Sequence, residues 1–128
     1  MFIRFVVHQL DCSSGKRRGA LQAAYRLQGS ELVAAHDAHR LAAALSWFDE
    51  KLKRPTRLTR SRRPHRESQA ICWFKRDATE HLATMRDLQF ILETYGTRVE
   101  MITSRRPGYI VYEDEFQVAA YPFSDTVA

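Results

Sequence analysis

The chain has 128 residues, 45% hydrophobic and 27% charged, with a formal net charge of +5. That composition fits one packed domain and excludes the low-hydrophobicity signature of disorder. The longest apolar runs, such as Phe5 to Val7 and Ala42 to Leu45, fall far short of the roughly 20 residues of a membrane span, which excludes a helical bilayer protein.

The N-terminal apolar stretch ends at His8, Gln9 and Asp11, without a continuous apolar core or a small-residue cleavage site, so secretion through a cleaved signal is not expected. Cys12 and Cys72 are the only cysteines. Two thiols in a chain able to build its own core suggest a reducing compartment, and the expected setting is a soluble cytoplasmic protein. Cys72, between Ile71 and Trp73, reads as a small buried hydrophobe rather than a nucleophile.

Phe2 to His8 is β-branched and aromatic and predicts a strand that stops at the turn formers Asp11 to Gly15. Gly19 to Gln28, with Leu21, Ala24, Tyr25 and Leu27, suits a short helix that Gly29 would end in a left-handed turn. A second helix follows from Ala38, Leu41, Ala42, Leu45, Phe48 and Leu52, spaced three and four apart, with Asp37, Arg40, Asp49 and Lys53 on other faces. Pro55 closes it.

Ala70 to Phe74 reads as a short buried strand, or as the first turn of the next helix. That next helix carries a capping signature, Asp77 with Glu80 three positions later, and an apolar face of Ala78, Leu82, Met85, Leu88, Leu92 and Tyr95 ending at Gly96. Strands are predicted at Arg98 to Thr103, Tyr109 to Tyr112 and Phe116 to Tyr121, arranged as an antiparallel meander. The order β-α-α-β-α-β-β-β gives an α+β domain over residues 1–128, a mainly antiparallel sheet with about three helices on one face.

Between Lys51 and Arg66 lie eight cations in sixteen residues, with no acid among them. This block is worth +8 in a chain whose net charge is +5, leaving −3 for the other 112 residues. A self-repelling block of this kind, a basic loop at about 53–69, finds its natural partner in a polyanion. Arginines outnumber lysines six to two, which suits bidentate phosphate contacts, and Thr56, Thr59 and Ser61 add hydroxyls. Arg57, Arg60, Arg62, Arg63 and Arg66 are therefore the candidate nucleic-acid-binding residues. Trp73 and Phe74 could stack on an unpaired base where exposed, but core packing is the commoner use of such residues. The competing readings of the basic block are a solvated surface and a docking site for an acidic protein surface.

Glu113 and Glu115 flank Asp114 between two predicted strands. This Glu-x-Glu resembles the acidic motif of ADP-ribosyltransferases, which implies an enzymatic alternative with Glu113 and Glu115 as catalytic residues and Arg4, Thr59 or Ser61 as partners. The Ser-Thr-Ser pattern of that family is absent, and a solvent-facing acidic hairpin turn accounts for the same residues. His36 and His39, at i and i+3 on one predicted helix, have the spacing for a shared metal, but no third ligand is identifiable, and His81 beside Glu80 fits a capped helix start. The expectation is no metal and no cofactor. The chain contains no Gly-rich phosphate loop, Gly-x-Ser-x-Gly elbow or His-Glu-x-x-His helix.

Over nearly its whole length the chain resembles a family of small uncharacterised bacterial proteins. The likeness rests on Phe5 to His8, Trp47-Phe48, Pro55-Thr56-Arg57, Trp73-Phe74-Lys75, Glu80-His81 and Arg106 to Tyr109 running into Val111 to Glu115. The resemblance implies a free-standing bacterial protein and carries over no catalytic residue. The leading expectation is a non-enzymatic binding protein for nucleic acid or another phosphate-rich partner.

Overall fold

The computed structural model describes residues 1–10, 16–53, 70–126 and 128. Their order is β1 (Phe2–Leu10), β2 (Arg17–Gly19), α1 (Ala20–Gln28), α2 (Ala35–Lys51), β3 (Ile71–Lys75), α3 (Thr79–Thr94), β4 (Glu100–Ser104), β5 (Tyr109–Glu113) and β6 (Gln117–Tyr121). The fold is α+β: three helices and one antiparallel sheet of six strands among the described residues. No helix of the described residues is long and apolar enough to cross a membrane.

β2 was not expected. Arg17 and Arg18 have no strand-like side chains, and what makes this segment a strand is its partner: Val6 faces Gly19 and Leu10 faces Arg17. Arg17 reaches Glu100 in an ion pair of 2.7 Å, and Arg18 donates to the Gln9 side chain at 3.0 Å.

The C-terminal strands do not form a three-stranded meander. β4 pairs with β1, from Phe2 opposite Ser104 to Val6 opposite Glu100, while β5 pairs with β6 and β6 with β3. The path across the sheet therefore runs β4-β1-β3-β6-β5. In a flat sheet four strand spacings would separate β4 from β5 by about 19 Å. The five residue steps from Ser104 to Tyr109 span at most about 18 Å. Curling relieves that limit, and Ile102 on β4 accordingly packs into a small core with Trp73 and Val118. Gly108 makes the connection possible, with φ at 137°.

The main core lies between the helices and the other face of the sheet. Phe5 and Val7 of β1 meet Ala20 and Ala24 of α1, Leu41, Leu45 and Phe48 of α2, and Leu82, Met85, Leu88, Ile91 and Leu92 of α3. On α2 the buried stripe starts at Asp37, four residues before Leu41, whereas Ala38 and Ala42 are exposed. An alanine gains little from burial beside Leu or Phe, so it does not decide which way the helix faces. Asp37 is only 9% exposed because the Tyr95 hydroxyl donates to its Oδ2 at 2.6 Å.

Two helix ends also differ from expectation. Gly29 has φ of −81°, an ordinary right-handed conformation, so α1 does not end in a left-handed turn. α3 begins at Thr79 with Ala78 as its N-cap and no side-chain cap bond, so Asp77 and Glu80 form no capping box. Asp77 instead uses its backbone carbonyl, which accepts from the Thr79 N–H at 2.8 Å. The end of α3 is as expected: Gly96 has φ of 89°, the Thr97 N–H bonds to Leu92 O and the Gly96 N–H to Glu93 O, the paired bonds of a Schellman ending.

Candidate functional site

Arg57, Arg60, Arg62, Arg63 and Arg66, together with Thr59 and Ser61, lie outside the described residues. The two roots of that basic segment are described. At the first, the Leu52 N–H closes α2 on Phe48 O at 2.8 Å, the Gln117 side-chain amide donates to the Lys53 carbonyl, and His81 Nε2 lies 3.1 Å from the Lys51 carbonyl. A carbonyl only accepts, so His81 Nε2 is the donor in this contact. The His81 ring is buried among Trp47, Phe48, Phe74 and Phe116, and stacks on Phe116 at 4.4 Å. His81 is thus an anchor for the end of α2 rather than part of a capped helix start. At the second root, Ala70 packs against the cluster of Val111, Ala119 and Tyr121 and leads directly into β3.

Trp73 is 1% exposed and Phe74 packs against the helix-side core, so both serve packing and neither offers a face to a base.

Glu113 and Glu115 occupy the β5–β6 hairpin, both exposed. Glu113 forms a 2.6 Å ion pair with Lys75. The residue between them organises the turn. Asp114 Oδ1 accepts from the Phe116 and Gln117 backbone N–H groups at 2.9 and 3.0 Å, and Oδ2 accepts from the Tyr112 hydroxyl at 2.8 Å and the Gln117 side chain at 3.1 Å. Burial pushes the Asp114 carboxyl up, but these four bonds outweigh it and hold the group below the ordinary carboxylate range. The acidic triplet is therefore a hairpin turn built on its middle member. Neither glutamate lines the cavity to which Arg4 contributes.

That cavity, of about 470 Å³, was not legible in the sequence. Its lining joins Arg4 and Phe5 of β1, Gly19 at the end of β2, the first turn of α1, Leu52, Ala70 to Phe74, Met85 of α3 and Gln117 of β6. Arg4 is 8% exposed, and its guanidinium donates through Nη2 to the Arg17 carbonyl. Cys72 is exposed rather than buried. Its thiol is nevertheless pushed above the ordinary value, chiefly by desolvation, with Arg4 pulling it down and Asp114 raising it further. A thiol held protonated is a poor nucleophile. The signal available in the sequence was Arg4 itself, one cation within the apolar run Phe2 to Val7 of β1.

His36 is exposed, with Nε2 3.2 Å from Asp37 Oδ1, and His39 is exposed one turn on. Among the described residues no group of three His, Cys, Asp or Glu side chains converges as a metal site would require. No family model, curated protein or solved structure matches the chain.

Proposed function

We propose that this chain is a small cytoplasmic binding protein that engages nucleic acid, or another phosphate-rich partner, through Arg57, Arg60, Arg62, Arg63 and Arg66. The observation that carries the reading is the concentration of charge: +8 within Lys51 to Arg66 against −3 for the remainder. A block of like charge lowers its self-repulsion by neutralising phosphates, and arginine's planar fork matches phosphate oxygens two at a time. The roots support the same reading. The carbonyls of Lys51 and Lys53 are held by His81 and Gln117, so the cations are tied to a folded body at both ends of the segment.

The enzymatic alternative has less behind it. Glu113 is engaged with Lys75, Asp114 is consumed by the turn, and Arg4 lines a cavity that neither glutamate reaches. Label transfer from a nicotinamide dinucleotide, abolished by Glu115→Ala, would reinstate it.

The proposal is tested by fluorescence anisotropy with random-sequence duplex, single-stranded DNA and RNA across a salt series. With three or four phosphates neutralised, log affinity for duplex should fall with log salt at a slope of about −3. Arg60→Ala, Arg62→Ala and Arg63→Ala combined should reduce that slope by about two, with an unchanged thermal melt. Equal, weak binding of all three nucleic acids by wild type and triple variant, low salt included, would exclude nucleic acid and leave the basic block as a solvated surface or a docking site for an acidic protein surface.

A further inference from the structure

α2 and α3 run antiparallel. Tyr95 meets Asp37 at one end of the pair, and the Trp47 ring lies 4.8 Å from the His81 ring at the other. Their inward stripes build the main core. Outside it the two helices enclose a groove of about 310 Å³, with Ala43, Ala44, Trp47 and Ile91 in its lining, Arg40 on the α2 side and Asp87 on the α3 side.

The same face carries a knob and two opposite charges. Phe90 of α3 is 62% exposed and follows Asp87 by three positions, so the two stand nearly one turn apart. The Arg40 guanidinium lies 5.7 Å from the Phe90 ring centroid, which puts Arg40 and Phe90 at one level of the helix pair. Among the described residues neither Arg40 nor Asp87 forms an ion pair.

We propose that the α2–α3 face is the interface of a two-fold homodimer, in which Phe90 of each copy enters the groove of the other and Arg40 pairs with Asp87 across the interface in both directions. A two-fold axis parallel to the helices sets α2 of one copy over α3 of the other without changing its level, and in such an interface every contact occurs twice. Arg40 then stands over Phe90 and Asp87 of the second copy, while Phe90 descends on Ala43 and Ala44, whose small side chains leave it room. A partner of uniform charge would face one of the two groups with its like, whereas a second copy answers both. Helices of 17 and 16 residues are each about 25 Å long and together about 20 Å wide. That face gives roughly 500 Å² a side, or about 1,000 Å² in all, the lower bound of a specific interface and the mark of a weak dimer. The same axis leaves the Lys51 ends of both α2 helices, where the basic segments are rooted, at one end of the dimer.

Sedimentation velocity without nucleic acid, at concentrations up to the order of 100 µM, should show a mass rising from 14.9 kDa towards twice that value. Arg40→Asp and Asp87→Arg should each weaken the dimer at least about tenfold, because each sets like charges face to face. Mixed in equal amounts, the two variants should dimerise with one another, since every contact between them again joins opposite charges. Phe90→Ser should leave a monomer. All three side chains are exposed, so thermal melts of the variants should match wild type at concentrations where it too is monomeric. A wild type that stays monomeric throughout overturns the proposal, as does a dimer that survives both reversals and Phe90→Ser, or reversal variants that remain monomeric when mixed. With no nucleic acid present, each of these outcomes is independent of the reading of the basic segment.

Discussion

Gln117 and Asp114 are joined twice. The carboxylate of Asp114 accepts from the Gln117 backbone N–H at 3.0 Å and from its side-chain amide at 3.1 Å. The same amide donates to the Lys53 carbonyl, so the β5–β6 hairpin and the root of the basic segment share one side chain. Because the folded Asp114 carboxyl is a stronger acid than in the unfolded chain, its contribution to stability is complete above the ordinary aspartate range near pH 4 and is lost as the pH falls through the folded value. Asp114→Asn should therefore lower the urea midpoint at neutral pH, and the gap to wild type should shrink on acidification. A gap that stays constant down to about pH 3 would contradict this assignment.

Tyr95 ties the end of α3 to the start of α2. Its hydroxyl donates to Asp37 at 2.6 Å and accepts from the Ala34 N–H at 2.8 Å. Tyr95→Phe removes both bonds and leaves a nearly buried carboxylate short of a donor, so the denaturation midpoint should fall, and Asp37→Ala on top of it should add less than it costs alone. The hydrogen bond to Asp37 raises the Tyr95 hydroxyl above its ordinary value, burial adds to it, and the Ala34 N–H opposes both. This contribution is present in full below the ordinary tyrosine range and is lost as the pH rises through the folded value. The Tyr112 hydroxyl is raised likewise by its bond to Asp114, so an alkaline spectrophotometric titration should show late-ionising tyrosines of which Tyr95→Phe removes one.

Asp77→Ala should change stability by less than about 0.5 kcal/mol, since Asp77 is exposed and caps nothing. A loss of about 1 kcal/mol in urea denaturation would restore the capping role that the Asp77 and Glu80 spacing suggests.

Gly96 and Gly108 both adopt positive φ, yet their surroundings differ. A Cβ at Gly96 would meet nothing within 4 Å, so Gly96→Ala carries only the backbone cost of about 1–2 kcal/mol. A Cβ at Gly108 would stand 2.6 Å from the Tyr121 carbonyl carbon and 2.9 Å from Pro122 Cα, both backbone atoms that cannot rotate aside. Gly108→Ala should be clearly the more damaging in thermal melts, and an equal loss at the two positions would mean that the β5–β6 approach is looser than described.

Local chemistry was legible wherever one residue type is sufficient for its own conformation. The strand beginning at Phe2, the helices around Leu45 and Leu88, the strand at Ile71 to Phe74 and the stop at Gly96 follow from periodicity, β-branching and a glycine's access to positive φ. The +8 block is likewise a property of the chain alone, as charge sums without reference to fold. Tertiary structure decided whatever depends on a partner distant in sequence. Arg17 to Gly19 is a strand because β1 has an edge to fill, and β4 lies beside β1 rather than β5 because pairing joins residues nearly a hundred positions apart. Asp37 is buried because Tyr95 arrives to satisfy it, an event that no pattern within α2 encodes beyond the aspartate's place in the buried stripe. The cavity at Arg4 arises from the divergence of two strands that share one edge of β1, and such a space belongs to the assembly of the sheet rather than to any segment of it.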